Sequence, residues 1–349
     1  MQKGILFGKN IEELKQITDS LHLPSYTAKQ IAQWMYSKRI FSIEEMSNIS
    51  AQNRNILEEF YELGCQKPIQ TQTSTDGTQK FLFETSSSKH IENYIESVYI
   101  PAKERATLCL SSQSGCRMNC QFCATGNQGF NHHLLVHEIL NQYYSIPQSK
   151  ELSNLVFMGM GEPFDNIDEV LKALKILTSE WGFALSPRRI TVSSVGILPG
   201  LKRFLEESEC HLAISLHSPF DQEREDLMPI QKVYPIDEII ACLKNYNWSG
   251  QRRLSFEYIL IQGVNDSLSH ARMITKKLRG LQCRINLISY HHIPNKSFVK
   301  SDEETSMAFR DFLSSHGLFC TIRQSKGEDI LAACGLLAKT RKESKNRDK

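Results

Sequence analysis

Three cysteines in one short run, Gly115-Cys116-Arg117-Met118-Asn119-Cys120-Gln121-Phe122-Cys123, are the residues of this chain best suited to chemistry. Their spacing, C-x3-C-x2-C with an aromatic before the last cysteine, suits three thiolates that each hold one iron of a [4Fe–4S] cube. A fourth cysteine would normally complete such a site, and leaving it out keeps one iron open. Reductive cleavage of S-adenosylmethionine needs an open iron, because the methionine end must chelate it before an electron breaks the C–S bond. Buried core cysteines or half of a zinc site would use the same residue types. The polar, turn-like surroundings (Ser111, Ser112, Gln113, Ser114, Asn119, Gln121) argue against a core. No second C-x2-C or H-x3-H pair lies at a usual offset, and the adjacent His132 and His133 suit a tetrahedral site poorly.

Other segments add candidates. In Met158-Gly159-Met160-Gly161-Glu162-Pro163, Gly161 lets backbone approach a ligand closely, and Glu162 can accept from an ammonium or a ribose hydroxyl. Taken alone, a Gly-Glu-Pro turn is common; after a strand that follows an open-cluster loop, it reads as a clamp for the amino group of S-adenosylmethionine. Ser193 and Ser194, and then Ser215-Leu216-His217, close two further strand candidates with groups able to bind a carboxylate or ribose. Taken singly, each of these is better explained as an ordinary strand-end turn, and a structural histidine explains His217 equally well. Cys334, between Ala333 and Gly335, can be approached by a bulky substrate, although a lone cysteine there is more often inert. Cys109 lies just before the cysteine loop. If the sheet closes into a barrel the two thiols could form a transient disulfide, but spacing does not show that they meet.

The elements that must position these residues are legible from periodicity. Apolar positions Ile11, Leu14, Ile17 and Leu21 share one helical face; Leu23-Pro24-Ser25-Tyr26 ends that helix; Ala28–Tyr36 and Gln52–Tyr61 give two more. Lys29, Lys38 and Arg39 give this module a modest basic face, which a solvated surface explains equally well. Strand patterning follows over about residues 79–110. From there strands (Ala106–Leu110, Asn154–Met158, Arg189–Ser193, Leu212–Leu216, Ser255–Leu260, Arg284–Ile288, Phe319–Arg323) alternate with helices (Val136–Tyr144, Ile167–Leu177, Pro199–Glu207, Ile236–Tyr246, Ser267–Leu278, Glu304–Ser315). Alternation of this kind predicts an α/β fold with a parallel sheet, as an incomplete (β/α)6 barrel, preceded by a small N-terminal helical domain and a short β extension. The expected organisation is residues 1–65 as a helical substrate-docking accessory domain, 66–104 as a β-rich connecting segment, 105–334 as the barrel and 335–349 as a disordered basic tail. Chemistry in barrels gathers at the C-terminal strand ends, where the cysteine loop, Glu162, Ser193 and Ser215–His217 all fall.

Composition narrows the setting. Lys plus Arg number 41 and Asp plus Glu 39, so the net charge of +2 supplies no global field for a polyanion, and any such binding must come from local patches. The ten cysteines follow no apolar leader and no run long enough to cross a bilayer, so a reducing cytoplasm is expected and no membrane partner.

Together the motifs resemble the adenine methyltransferases of the radical S-adenosylmethionine superfamily: the dual-specificity rRNA/tRNA adenine-C2 family RlmN, and its C8-methylating sister Cfr. The resemblance covers nearly the whole chain, through Ile95–Pro101, Arg105–Cys109, Gln113–Cys116, Phe122–Gly126, Met158–Pro163, Ala213–Ser218, Val264–Asp266 and Asp329–Gly335. It implies one [4Fe–4S] cluster on Cys116, Cys120 and Cys123, and two S-adenosylmethionine molecules per turnover. The first methylates Cys334; the second yields a 5′-deoxyadenosyl radical that removes hydrogen from that methyl group. The carbon radical adds to C2 of adenine, which is electrophilic and closed to ordinary methyl-cation transfer. Glu96 then takes the C2 proton, and Cys109 attacks the Cys334 sulfur, releasing product as a disulfide forms. Gly161, Glu162, Ser193, Ser215, Leu216 and His217 are implied to bind S-adenosylmethionine. One departure is His291, which stands where the family has Asn and is carried over as a further contact.

The implied substrates are adenine 2503 of 23S rRNA and adenine 37 of tRNA, with a flavodoxin-like electron donor and a monomeric enzyme. Phe183–Arg189 and Ser218-Pro219 lean toward the C8 branch, which gives antibiotic resistance; Gln128–Asn131 and Asn295–Lys300 lean toward C2, the favoured reading. A non-catalytic RNA-binding protein with structural zinc is the competing class, but nothing in such a protein requires Cys109, Cys334 and Glu96 together.

Overall fold

The structure is a computed structural model and describes residues 3–85 and 93–338. The tail lysines and arginines from Lys339 to Lys349 lie outside the described residues.

The N-terminal part holds α1 (Ile11–Ser20), α2 (Thr27–Ala32), which runs on into a π-helical turn over Gln33–Lys38, and α3 (Ala51–Phe60). A short parallel pair, β1 (Gly4–Ile5) and β2 (Tyr61–Glu62), ties its two ends together. Asn10 caps α1 reciprocally with Glu13: the Glu13 amide donates to Asn10 Oδ1 at 2.9 Å, and the Asn10 amide to Glu13 Oε2 at 2.7 Å. An aromatic cluster docks the module on the rest of the chain, with the Phe7 and Tyr144 rings 4.7 Å apart and Tyr36 and Phe183 5.2 Å apart. Arg39 stacks on Tyr143 in that seam, so it holds the two parts together instead of contributing to a free basic face.

Next come β3 (Gln70–Thr73), β4 (Gln79–Glu84) and β5 (Tyr94–Pro101), antiparallel, and β6 (Ala106–Cys109). A hairpin of β7 (Gln113–Gly115) and β8 (Phe130–His133) encloses a loop that includes the short helix α4 (Ala124–Asn127). Then follow α5 (Val136–Tyr144), β9 (Asn154–Phe157), α6 (Ile167–Thr178), β10 (Ile190–Ser194), α7 (Leu198–Glu207), β11 (His211–Ser215), α8 (Asp221–Leu227), α9 (Ile236–Lys244), β12 (Leu254–Leu260), α10 (Leu268–Lys277), β13 (Arg284–Ser289), α11 (Glu303–Ser315) and β14 (Phe319–Ile322).

The main sheet has ten strands in the order β14-β13-β12-β11-β10-β9-β6-β5-β4-β3. β6 and β9–β14 are mutually parallel, in registers such as Thr107↔Asn154, Ser193↔Ala213 and Phe256↔Ile285. β14 and β3 are its two edges, so the sheet curls without closing and the barrel is incomplete, as expected. Strands covered on both faces read as near-continuous apolar runs, and β12 is buried through Phe256, Tyr258, Ile259 and Leu260. Helices cover the outside with one apolar face each; α6 buries Val170, Leu171, Ala173, Leu174, Ile176 and Leu177. A second apolar cluster, with Met118, Val195, Met228, Ile259, Ile261, Tyr290, Ala333 and Leu336, sits at the C-terminal end of the strands beside Cys116 and Cys120. Among the described residues no helix is long and apolar enough to cross a membrane.

Candidate active site

The cysteine loop is held at its neck and at its tip. At the neck, Ser112 and Gln113 donate their amides to Met160 O at 2.8 and 3.2 Å, and Cys116 N donates to Gly129 O at 3.1 Å. Asn119 takes the left-handed conformation (φ +51°) between the first two cysteines, which asparagine tolerates. At the tip, Gln121 N donates to Leu227 O at 2.9 Å, and Ala124 N to Gly335 O at 2.7 Å. Cys116 and Cys120 are buried and Cys123 half-buried; all three are free thiols.

Burial pushes the Cys116 thiol up to about 12, and Cys120 is raised well above its ordinary value by burial and then by the Cys123 and Cys116 thiols. Such crowding opposes three thiolates unless a cation sits among them, and an all-sulfur donor set suits iron–sulfur ligation. Among the described residues no three His, Cys, Asp or Glu side chains converge on one metal ion. Three thiolates that each bind a different iron do not need to converge. The residues therefore fit the cluster.

The turn after β9 packs directly on this loop. Gly161 has φ +101°, and a Cβ there would stand 2.7 Å from Gln113 N, so only glycine fits. Glu162 is fully enclosed: its Oε1 accepts from Phe164 N and its Oε2 from Val195 N, both at 2.9 Å. Burial outweighs these donors and lifts its carboxyl to about 7. Oε1 thus closes the turn on itself and Oε2 pins it to the segment after β10, and an ammonium would share them with two backbone amides. Ser193 is half-buried at the end of β10, while Ser194 is buried, with Oγ accepting from Gly196 N at 2.9 Å.

Ser215 ends β11, followed by buried Leu216 and His217. His217 has φ +56°, and its Nδ1 accepts from Ile259 N at 3.0 Å. Burial and then the Arg224 charge lower its pKa to about 3, so the ring is neutral and its edge meets Phe122 of the cysteine loop. Arg224 was not singled out by the sequence reading. Fully buried on α8, it donates to Leu216 O (3.1 Å), Val195 O (3.1 Å), Ser215 O (3.0 Å) and Gln231 Oε1, so one side chain gathers the backbone after β10 and β11. Its helix reads DQEREDL, a charged run with almost no apolar period to reveal it.

The residues expected to carry the methyl chemistry come from distant parts of the chain. Cys109 is buried at the end of β6. Burial first and then the neighbouring Cys334 raise its thiol to about 12, so the two cysteines lie within electrostatic reach. Both are free thiols; Cys334 is open to solvent though walled by protein, and burial raises it, with Arg323 opposing. Arg323, also missed, donates to Met158 Sδ at 3.4 Å and stands 3.5 Å from the buried Glu257.

Glu96 is buried on β5. Its Oε1 pairs with Lys80 Nζ at 3.0 Å, and its Oε2 accepts from Ala338 N at 2.9 Å. Ser111 Oγ donates to Glu96 O at 2.6 Å and accepts from Met160 N at 2.8 Å, tying this strand to the Gly161–Glu162 turn. His291, by contrast, faces the C-terminal segment: its Nε2 is 3.0 Å from Ser325 Oγ, and its Nδ1 3.8 Å from Glu328. Residues 335–338, expected to begin the tail, pack on the barrel, with Thr125 Oγ1 donating to Leu337 O at 2.8 Å.

Two family models match the chain: the radical SAM superfamily over residues 110–273, and the ribosomal RNA large subunit methyltransferase N-terminal domain over residues 5–63. A probable dual-specificity RNA methyltransferase RlmN of Phocaeicola vulgatus is 57% identical over 343 residues, covering 98% of this chain and 97% of its own. The dual-specificity RNA methyltransferase RlmN of Syntrophus aciditrophicus is 41% identical over 94% of each chain. Among solved structures, a radical SAM methyltransferase from Sphaerobacter thermophilus superposes with a TM-score of 0.89 at 36% identity, covering 95% of this chain and 98% of that one. Glu96, Cys109 and Cys334 lie outside both matched segments, so those matches do not speak to them.

Proposed function

The chain belongs to the RlmN family of radical S-adenosylmethionine RNA methyltransferases, and from that we propose that it methylates C2 of adenine in 23S rRNA and tRNA, using a methyl group carried on Cys334. One observation carries the residue assignments. Gly335 O accepts from Ala124 N, next to the last cysteine of the loop, while Ala338 N donates to Glu96. The segment that bears Cys334 therefore spans from the cysteine loop to Glu96 within a few residues.

Cys116, Cys120 and Cys123 would hold the [4Fe–4S] cluster, which supplies the electron that cleaves S-adenosylmethionine. The remaining roles belong to the chain itself. Gly161 admits the amino-acid end of S-adenosylmethionine close to the backbone, and Glu162 accepts from its ammonium. Ser193, Ser215, Leu216 and His217 line the neighbouring strand ends; His291 is a further candidate contact. Cys334 Sγ takes the first methyl group and delivers that carbon to C2. Glu96 takes the C2 proton, and the odd electron that radical addition leaves on the ring returns to the centre that supplied it. Cys109 Sγ, as thiolate, then attacks Cys334 Sγ: the S–S bond forms, the S–C bond breaks, and its electron pair passes to the adenine-bound carbon, which a proton completes as methyl. The target adenine must leave its stack to reach this mouth. A flavodoxin-like protein as electron donor, a monomeric state and a cytoplasmic setting complete the proposal.

The test is nucleoside mass spectrometry of rRNA and tRNA from cells that lack their own enzyme and express either this chain or Cys116→Ala. Cysteine-dependent 2-methyladenosine is expected in both RNAs. Cysteine-dependent 8-methyladenosine would move the activity to the C8 branch and overturn the proposal.

A further inference from the structure

We propose that Lys80 is a positioning residue, which with Glu96 clamps the strap bearing Cys334 over the Glu96 carboxylate, so that the strap must lift there before adenine can enter. The inference rests on the roles proposed above for Glu96 and Cys334.

The clamp has two jaws. Lys80 on β4 and Glu96 on β5 are diagonal neighbours, since Glu96 stands opposite Leu82, and both side chains are buried. Lys80 Nζ reaches Glu96 Oε1 at 3.0 Å and also Leu331 O at 3.4 Å, three residues before Cys334. Glu96 Oε2 accepts from Ala338 N at 2.9 Å, four residues after Cys334. One buried ion pair therefore grips the strap on both sides of its cysteine. Upstream, a separate set of contacts fixes the strap to the β3–β4 turn. Asp329 accepts from Ser74 Oγ at 2.6 Å and Thr75 N at 3.1 Å, and Asp76 accepts from Gly327 N at 3.2 Å. The anchored end and the clamped end are thus chemically independent.

The clamped arrangement leaves little room. Lys80, Leu82, Glu96, Leu331, Leu336 and Ala338 help to line a cavity of about 40 Å³. At roughly 10–15 Å³ per water, that space holds a few waters and no purine ring. A base approaching Glu96 has to displace the strap at Ala338, while the Asp329 contacts can persist as a hinge. Once Glu96 has taken the C2 proton, Lys80 faces a neutral acid in place of a carboxylate, so the strap regains its charge-assisted contacts at Glu96 only after that proton has left.

Amide hydrogen exchange on the full-length, cluster-loaded protein without RNA tests this directly. Lys80→Met and Glu96→Gln should each speed exchange across residues 331–338 by about tenfold or more, the scale of one lost hydrogen bond to a charged group. Peptides from β10 and β11 should stay at wild-type rates. Lys80→Arg, which keeps the cation, should restore most of the protection, and Lys172→Met, whose partner Glu13 lies in the N-terminal helical domain, should change nothing in this segment. Unchanged exchange of residues 331–338 in Lys80→Met and Glu96→Gln overturns the proposal. So does a loss of protection spread evenly over the barrel, which would make Lys80 a general stabiliser. In turnover, Lys80→Met should lower kcat without raising KM for RNA, and Lys80→Arg should rescue it. If Glu96→Gln methylates RNA normally while its strap exchanges faster, the base assignment fails and the clamp stands.

Discussion

Arg224 offers the sharpest test of how this fold holds its site. The side chain is fully buried, and its guanidinium donates to three backbone carbonyls and the Gln231 side-chain oxygen, all neutral acceptors. Burial lowers its pKa only to about 10, so it stays charged at neutral pH. Arg224→Met keeps much of the volume and removes every donor. Leu216 O keeps the Ser218 amide and Gln231 Oε1 the Ile236 amide, so the loss falls mainly on Val195 O and Ser215 O; at about 2 kcal/mol for a buried unsatisfied group, the two cost about 4 kcal/mol together. Relief from desolvating the guanidinium offsets part of this. The remainder is a large share of a typical folding stability of roughly 5–15 kcal/mol. At about 2–4 °C per kcal/mol for a domain of moderate size, a loss of about 3 kcal/mol lowers Tm on the order of 10 °C. Thermal unfolding followed by circular dichroism, under anaerobic conditions and at one scan rate, measures it. Arg224→Lys should fall in between, because an ammonium lacks the planar fork that reaches Val195, Ser215 and Leu216 at once. A Tm for Arg224→Met within about 2 °C of wild type would refute the claim that this residue organises the strand ends.

Further outcomes follow from the same geometry. The Glu162 carboxyl is raised from 4.5 to about 7, so its share of stability is complete below pH 4.5 and is lost as pH rises through 7. At about 1.36 kcal/mol per unit the two and a half units amount to at most about 3 kcal/mol. The stability difference between wild type and Glu162→Gln, measured by urea unfolding, should therefore shrink across pH 4.5–7; a flat difference contradicts the buried-carboxyl reading. Gly161→Ala places a Cβ 2.5 Å from Gln113 Cβ in a left-handed backbone conformation, so S-adenosylmethionine affinity measured by calorimetry should fall at least about tenfold, since strain of this kind is on the order of 1–3 kcal/mol. Cys334→Ala should abolish RNA methylation and leave iron content and cluster absorbance at wild-type levels; methylation by this variant would remove Cys334 from the mechanism. Cys109→Ala should retain methylation of Cys334 but accumulate a covalent protein–RNA adduct on denaturing gels.

How much of this was legible in the sequence depends on the range over which a signal acts. The seven parallel strands were expected within a residue or two, for example Asn154–Met158 against Asn154–Phe157, because a strand buried on both faces is a local apolar run. The cysteine loop was legible for a similar reason: its ligand spacing is contained in eight consecutive residues. α8 was missed because DQEREDL has no apolar period, and what fixes it is one buried arginine whose acceptors lie on other segments. The β7–β8 hairpin was missed because its strands are short and polar and are held by contacts to Met160 and Tyr94. His291 stands just past the end of β13, as the resemblance implies, but its partners Ser325 and Glu328 lie more than thirty residues on and leave no local signal.

The polar contacts around Glu96 show the same limit in its strongest form. Lys80 and Glu96 are sixteen positions apart, on neighbouring strands, and either could have been read as an exposed charge at a sheet edge. The strap, more than two hundred residues later, crosses over both and helps to cover them. Without that cover, water would solvate both charges and the pair would contribute little. With it, the pair is desolvated, and removing either partner leaves a buried charge uncompensated. The strap thus gives the ion pair its strength, and the ion pair gives the strap its position. A contact of this reciprocal kind has no signature in any single segment, because neither half is stable as observed without the other.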